Sequence, residues 1–238
     1  MQYFLLNTTH LKFVCYNLRK MGWHMNKIFY IFRHGQTDFN AAKRMQGWLD
    51  VPLNNDGIIQ AQNLAKNLAK IEIDCIFTSP LSRALNTAQI VSGDRHIKIT
   101  PVPGLKEWNL GVFCGKIVHV TDEPADTPIN TDSDVVNVPL ALISDDNYRP
   151  QGGESYNMFA KRVCDTMTEI ANTTNSENIA ISTHGGVIKV LIKKFTNLKW
   201  PRSGIPNAEH IKMQWDGKKF ILPEPPDWLL FEQKTSLR

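Results

Sequence analysis

Three segments of this sequence bring positive charge or histidine to the end of an apolar run. Phe29-Tyr30-Ile31-Phe32 leads into Arg33-His34-Gly35-Gln36-Thr37, and Asn178-Ile179-Ala180-Ile181-Ser182-Thr183 leads into His184-Gly185-Gly186. The third, Thr78-Ser79-Pro80-Leu81-Ser82-Arg83, carries Arg83 just past the end of Asp74-Cys75-Ile76-Phe77. A guanidinium fork matches the oxygens of a phosphate, and a neutral imidazole can attack phosphorus as a nucleophile. Arg33, Arg83 and the histidines therefore read as an anion cage in which His34 is the nucleophile. Glu107, between Leu105-Lys106 and Trp108-Asn109, is a carboxyl group able to protonate a leaving oxygen.

Other chemistries lack their motifs. The chain has no G-x-x-x-x-G-K-[ST] loop, no G-x-G-x-x-G fingerprint, no G-x-S-x-G elbow and no H-E-x-x-H helix. Its seven histidines show no close pair in sequence, so no local metal-ligand signature is present. Ligands could still converge in space, but no motif-defined metal role and no cofactor is expected. The net charge of +4 is spread over 238 residues without the Lys/Arg stripe of a nucleic-acid binder. No stretch approaches the roughly 20 apolar residues of a membrane span. Cys15, Cys75, Cys114 and Cys164 are far apart and form no C-x-x-C pair, which predicts reduced thiols and a cytoplasmic setting.

Chemistry at strand ends needs strands that stop at one edge, and the hydrophobic pattern supplies them. Residues 26–32, 74–79, 97–99 and 178–183 read as short β-strands, several of them apolar throughout as in a buried parallel sheet. Between them run helical spacings. Ile58, Ala61, Leu64, Ala65 and Leu68 form one; Leu81, Ala84, Leu85 and Ala88 form a second, with Pro80 in its first turn and Ser79 as its cap. Phe159, Val163, Met167 and Ile170 form a third, and Val187–Lys194 a fourth that opens at Gly185. Alternating strands and helices predict a single three-layer α/β/α domain around a mostly parallel sheet. In such sheets ligands bind outside the carboxyl ends of the strands. Residues 208–222, with Asp216-Gly217 at the centre, read as a terminal β-hairpin.

Two stretches fall outside this pattern. Residues 1–24 carry Lys12, Arg19 and Lys20 without an acidic residue, but their apolar residues are too interrupted for a targeting peptide. They are expected to be a disordered extension or an over-long start, and the domain is expected to run from 25 to 238. Residues 117–151 hold seven acidic side chains, several prolines and little periodicity, and are expected to form an acidic, loop-like insertion or a lid over the pocket.

The ordered blocks resemble the histidine phosphatase superfamily, the phosphoglycerate mutase-like fold. They are Arg33-His34-Gly35-Gln36-Thr37 with Asn40, Gln46-Gly47, Asp50 to Leu53, Gly57, Gln60-Ala61, Ser79-Pro80-Leu81-Ser82-Arg83-Ala84, Thr87-Ala88, Glu107 with Gly111, Gly153-Glu154-Ser155, and His184-Gly185-Gly186. The resemblance covers residues 27 to 215 and implies specific roles. His34 becomes phosphorylated; Arg33, Arg83 and His184 hold the phosphoryl group; Glu107 serves as acid and then as base. Asn40, Gln46, Gly47 and Gly185 fall at positions that line the phosphate or substrate pocket. The cage replaces the metal used elsewhere in phosphoryl transfer.

The same resemblance leaves hydrolysis and transfer to be separated. Cofactor-dependent mutases carry an arginine pair after the catalytic glutamate and usually serine in place of Thr37. Here residues 116–149 are acidic and contain no Arg-Arg pair, and Thr37 stands in the first block. Both features favour a phosphatase. Cys114 replaces the acidic residue that commonly precedes the second glycine of the Glu107 block. The expected activity is metal-independent phosphomonoester hydrolysis through a phosphohistidine. The alternatives are a phosphoglycerate mutase-type phosphotransferase, which would need a bisphosphate primer, and a low-turnover module that binds phosphate esters. The expected partner is a small phosphorylated metabolite, or else a phosphoprotein, with neither nucleic acid nor membrane; the sequence does not indicate an oligomeric state.

Overall fold

The computed structural model describes residues 26–198 and 204–230. The reading of residues 1–24, and of Cys15 within them, lies outside the described residues.

In chain order the elements that frame the site are β1 (Lys27–Arg33), α1 (Asp38–Ala41), α2 (Asn55–Asn67), β2 (Cys75–Thr78), α3 (Ser82–Ser92), β3 (Lys98–Pro101), β4 (Ile117–Thr121), β5 (Val135–Pro139), α4 (Leu140–Ile143), α5 (Tyr156–Thr173), β6 (Asn178–Thr183), α6 (Gly185–Phe195), β7 (His210–Trp215) and β8 (Phe220–Ile221). Six strands form one sheet in the order β3-β2-β6-β1-β7-β8. The β3, β2, β6 and β1 strands run parallel, while β7 and β8 pair antiparallel at one edge as the predicted hairpin.

The two-residue period of β1 accounts for the three layers. Phe29 and Ile31 enter a core with Phe159, Val163 and Met167 of α5 and Val187, Ile188 and Leu191 of α6. Tyr30 and Phe32 enter a second core with Leu64 and Leu68 beside α2 and Ala88 and Val91 of α3. Both faces of the central strands are thus covered, the condition under which a parallel sheet is stable. No helix among the described residues is long and apolar enough to cross a membrane.

Residues 117–151 differ from the expected loop. They contain a two-stranded parallel sheet in which Val118 pairs with Val136 and Val120 with Val138. Val136 and Val138 are buried against Phe113. The acidic, proline-containing run 122–134 is only the connection between these strands, which hid their pairing from any local reading of periodicity. None of residues 117–151 forms part of the wall of the cavity that holds Arg33, His34 and Glu107.

Strand register then sets the site. Arg33 sits opposite Thr183, and Thr78 opposite Ser182. The next backbone bonds continue the ladders: His34 N–H donates to Thr183 O at 2.9 Å, and Ser79 N–H to Ser182 O at 2.9 Å. His34, His184 and Ser79 therefore leave three adjacent strands at one edge.

Candidate active site

A cavity of about 720 Å³ opens over this edge, with Arg33, His34, Asn40, Gln46, Gly47 and Arg83 in one part of its wall. Glu107, Trp108, Tyr156, Phe159 and Gly185 form another part of its wall. His184 is fully buried and lies behind this surface, edge-on to His34 with ring centroids 5.2 Å apart.

His34 is only 2% exposed. Its Nδ1 lies 2.6 Å from Gly35 O. Because a carbonyl only accepts, Nδ1 carries the proton and Nε2 keeps its lone pair. Burial first, then Arg83 and Arg33, hold His34 well below the ordinary histidine range. The result at neutral pH is an uncharged imidazole, the form that attacks phosphorus.

Arg83 is completely buried, yet its charge has a framework. One terminal nitrogen donates to Leu49 O at 2.7 Å and the other to Gly47 O at 2.9 Å. Burial lowers it to about 10, against an opposing pull from Glu107 and Asp50, so it remains a cation near pH 7. Arg33 donates from Nη1 to Ile205 O. It too is lowered by burial and raised by Glu107. The Nε atoms of both arginines and Nδ1 of His184 are buried without a partner among the described residues. Three such groups beside one nucleophile form a set of donors awaiting an oxyanion, since leaving them unpaired is costly.

His184 Nε2 lies 2.8 Å from Ser79 Oγ, which also accepts from Leu81 N–H at 3.3 Å. With the Ser79 hydroxyl donating to Nε2, the His184 proton resides on Nδ1, the unpartnered atom. Burial and then Arg83 push His184 well below its ordinary range, so it acts as a neutral donor.

Ser79 corrects the sequence reading. It was expected to cap a helix that includes Pro80, but α3 begins at Ser82, with Leu81 still extended. Ser82 N–H is instead capped by Asp50 Oδ1 at 2.6 Å. Engagement with His184 leaves Ser79 outside the helix, and a distant carboxylate takes over its role.

Glu107 is held from two sides. Oε1 accepts from Trp108 N–H at 2.9 Å and Oε2 from Gly186 N–H at 3.1 Å. A Cβ on Gly186 would lie 2.1 Å from Glu107 Oε1, so this approach requires glycine. Behind it, Arg162 of α5 donates to the carbonyls of Gly104, Lys106 and Glu107 and pairs with Glu154. Glu154 in turn accepts from Asn109 N–H at 2.9 Å. Local sequence reading did not single out Arg162, because its spacing on α5 resembles any half-buried surface arginine.

Asn40 and Gln46 reach the cavity by different routes. Asn40 closes a capping box on α1 with Thr37, and its Oδ1 also accepts from Asn207 Nδ2 at 3.4 Å. Gln46 is buried, with Oε1 unpartnered. Gly47 adopts φ 49°, the left-handed turn that aims its carbonyl at Arg83. Gly185 opens α6 with its missing Cβ 3.6 Å from Arg33 Nε. The structure thus gathers every candidate around one pocket, with His184 behind the wall rather than in it.

Residues 29–225 match the histidine phosphatase superfamily (branch 1). This chain belongs to that superfamily. Two relatives from Arabidopsis thaliana show the range of names within it. A metal-independent phosphoserine phosphatase is 32% identical over 170 residues, covering 70% of this chain and 67% of its own length. Phosphoglycerate mutase-like protein 4 is 31% identical over 172 residues, 69% of each chain. Among solved structures, Bacillus stearothermophilus YhfR superposes with a TM-score of 0.67 at 31% identity, over 85% of this chain and 98% of its own. The mostly parallel sheet with helices on both faces is the fold of this superfamily.

Proposed function

We propose that this chain is a metal-independent phosphomonoesterase that works through a phosphohistidine on His34. The observation that carries the reading is the trio of unpartnered buried donors, Arg33 Nε, Arg83 Nε and His184 Nδ1, next to an imidazole with a bare Nε2. These donors bind the phosphoryl oxygens, and their fixed positions favour the charge that develops in transfer. His34 Nε2 forms the N–P bond as the P–O bond to the leaving group breaks, and Glu107 delivers a proton to that oxygen. Water then attacks phosphorus with Glu107 taking its proton, the N–P bond breaks, and free His34 and inorganic phosphate result.

Hydrolysis is preferred to mutase-type transfer because the stretch after Glu107 supplies no arginine pair; it folds as the β4–β5 sheet outside the cavity wall. A small phosphorylated metabolite suits the cavity, whose volume lies in the range of small-molecule sites. A reducing compartment, the cytoplasm, is supported by the free thiols of Cys75, Cys114 and Cys164.

The test is phosphate release from para-nitrophenyl phosphate, with and without EDTA, for the wild type and His34→Ala. Turnover that resists EDTA and vanishes in the variant is expected. Turnover only with a bisphosphate primer and a phosphoglycerate would turn the reading to a mutase; tight ester binding without turnover would turn it to a regulatory module.

A further inference from the structure

The cavity is far larger than a phosphoryl group, and its far wall has a defined character. Trp108, Tyr156 and Phe159 supply apolar surface beside Glu107, and Lys43, Arg44 and Lys189 supply charge. Arg44 is already engaged, donating to Gly115 O at 2.7 Å and pairing with Asp134. The ammonium groups of Lys43 and Lys189 have no hydrogen bond or ion pair among the described residues. Lys43 stands at φ 55°, in a turn at the rim.

Lys189 is distinguished by its place on α6. It lies three residues after Gly186, whose N–H holds Glu107, and four after Gly185, which abuts Arg33. Residues at these spacings share one helix face, so Lys189 stands one turn beyond the two glycines that line the reacting centre. Glu107 faces the leaving oxygen, and a cation on the same wall therefore faces the leaving group rather than the transferred phosphoryl. Lys189 is solvent-exposed as a residue; desolvation against the cavity wall, with Lys193 adding repulsion, lowers its ammonium from the ordinary lysine range, while Asp146 and Glu107 oppose this. Of the acids near it, Asp146 is committed to Lys193 at 3.5 Å, and Glu107 is held by the two backbone N–H groups.

We propose that the substrate carries a second oxyanion on its leaving group, and that Lys189 Nζ binds it. This rests on the phosphomonoesterase reading and names its substrate class: an organic phosphate ester with a compact apolar body and an additional carboxylate or phosphoryl group. Lys189 is then the residue that selects among esters presenting the same phosphate to the same cage.

Phosphonates test this without turnover, because their C–P bond resists hydrolysis. Dissociation constants for phenylphosphonate, 3- and 4-carboxyphenylphosphonate and 1,4-phenylenebisphosphonate are measured by calorimetry on wild type, Lys189→Met, Lys189→Arg and Lys66→Met. The wild type is expected to prefer at least one doubly charged probe over phenylphosphonate. Lys189→Met should lower that preference about tenfold or more, the size of a charge-assisted hydrogen bond. Lys189→Arg and Lys66→Met should retain it, the latter controlling for net charge from an exposed site on α2 outside the cavity wall. Equal binding of all probes by the wild type, or an unchanged preference in Lys189→Met, overturns the proposal. Failure of phenylphosphonate itself to bind would instead sink the phosphate-ester reading, and this inference with it.

Discussion

Ser79 Oγ lies 2.8 Å from His184 Nε2, and a Ser79 hydroxyl that donates in this contact leaves the His184 proton on Nδ1. Without the hydroxyl, the buried imidazole loses its side-chain hydrogen-bond partner among the described residues, and with it the donor that favours a proton on Nδ1. Ser79→Ala is expected to reduce kcat/KM about 5- to 150-fold, the range set by about 1–3 kcal/mol for a lost buried hydrogen bond. Nitrogen chemical shifts of His184 check the cause. A variant that keeps Nδ1 protonated and yet loses activity would show that Ser79 acts some other way.

Glu107 is expected to matter in proportion to how poorly the leaving group departs. Glu107→Gln should lower kcat on an alkyl phosphate by about 10²–10⁴-fold, the range of general acid catalysis, and much less in the first step on para-nitrophenyl phosphate. Burst kinetics separate that step from the later attack of water. Equal loss in phosphorylation of His34 by both substrates would remove Glu107 from the role of acid.

Gly186→Ala separates positioning from folding. The new Cβ would meet Glu107 Oε1 at 2.1 Å, but that oxygen is the tip of a flexible side chain and can move aside. A glycine-to-alanine change within a helix is itself favourable by about 1 kcal/mol. Thermal unfolding should thus change little while turnover of alkyl phosphates falls sharply. A large loss in Tm would place the role of Gly186 in packing.

Arg83→Met should cost stability as well as phosphate binding. The guanidinium satisfies the carbonyls of Leu49 and Gly47 from a fully buried position. Each carbonyl left without a partner costs on the order of 1–3 kcal/mol. Denaturant unfolding should show the loss, and inorganic phosphate, which stabilises the wild type by binding the native state, should no longer raise Tm.

Acid should unfold the protein partly through its two active-site histidines. Burial, and secondarily the arginines, depress both His34 and His184 in the native state. Between those low values and the ordinary 6.5, the unfolded chain binds more protons than the folded one, so stability rises with pH. This contribution is complete above about pH 6.5 and is lost as pH falls toward the folded values. His34→Gln with His184→Gln should flatten the pH dependence of unfolding free energy in that window. An unaltered slope would mean that other groups control it.

The strands and the chemistry of their ends were legible because both are local. An apolar run that stops at Arg33-His34-Gly35 or Thr183-His184-Gly185 announces a buried strand and a ligand-facing turn together. Residues 117–151 were not legible, because β4 and β5 pair across an acidic connection whose composition reads as loop. Ser79 was misread for the opposite reason: its local pattern matched a helix cap, but a bond to a residue 105 positions away claimed the side chain.

By itself, the sequence determined a mostly parallel α/β domain and singled out His34, two arginines and Glu107 as candidates for nucleophile, anion cage and proton donor. Hydrophobic period and residue chemistry act over a few neighbours, and the chain carries that information wherever it folds. Only the tertiary structure decided how these groups act. It brought Ser79 against His184, held Glu107 against Gly186, and placed Lys189 in the same cavity wall. Tautomer, protonation and charge selection depend on desolvation and on hydrogen bonds between distant segments, and those exist only once the strands stand side by side.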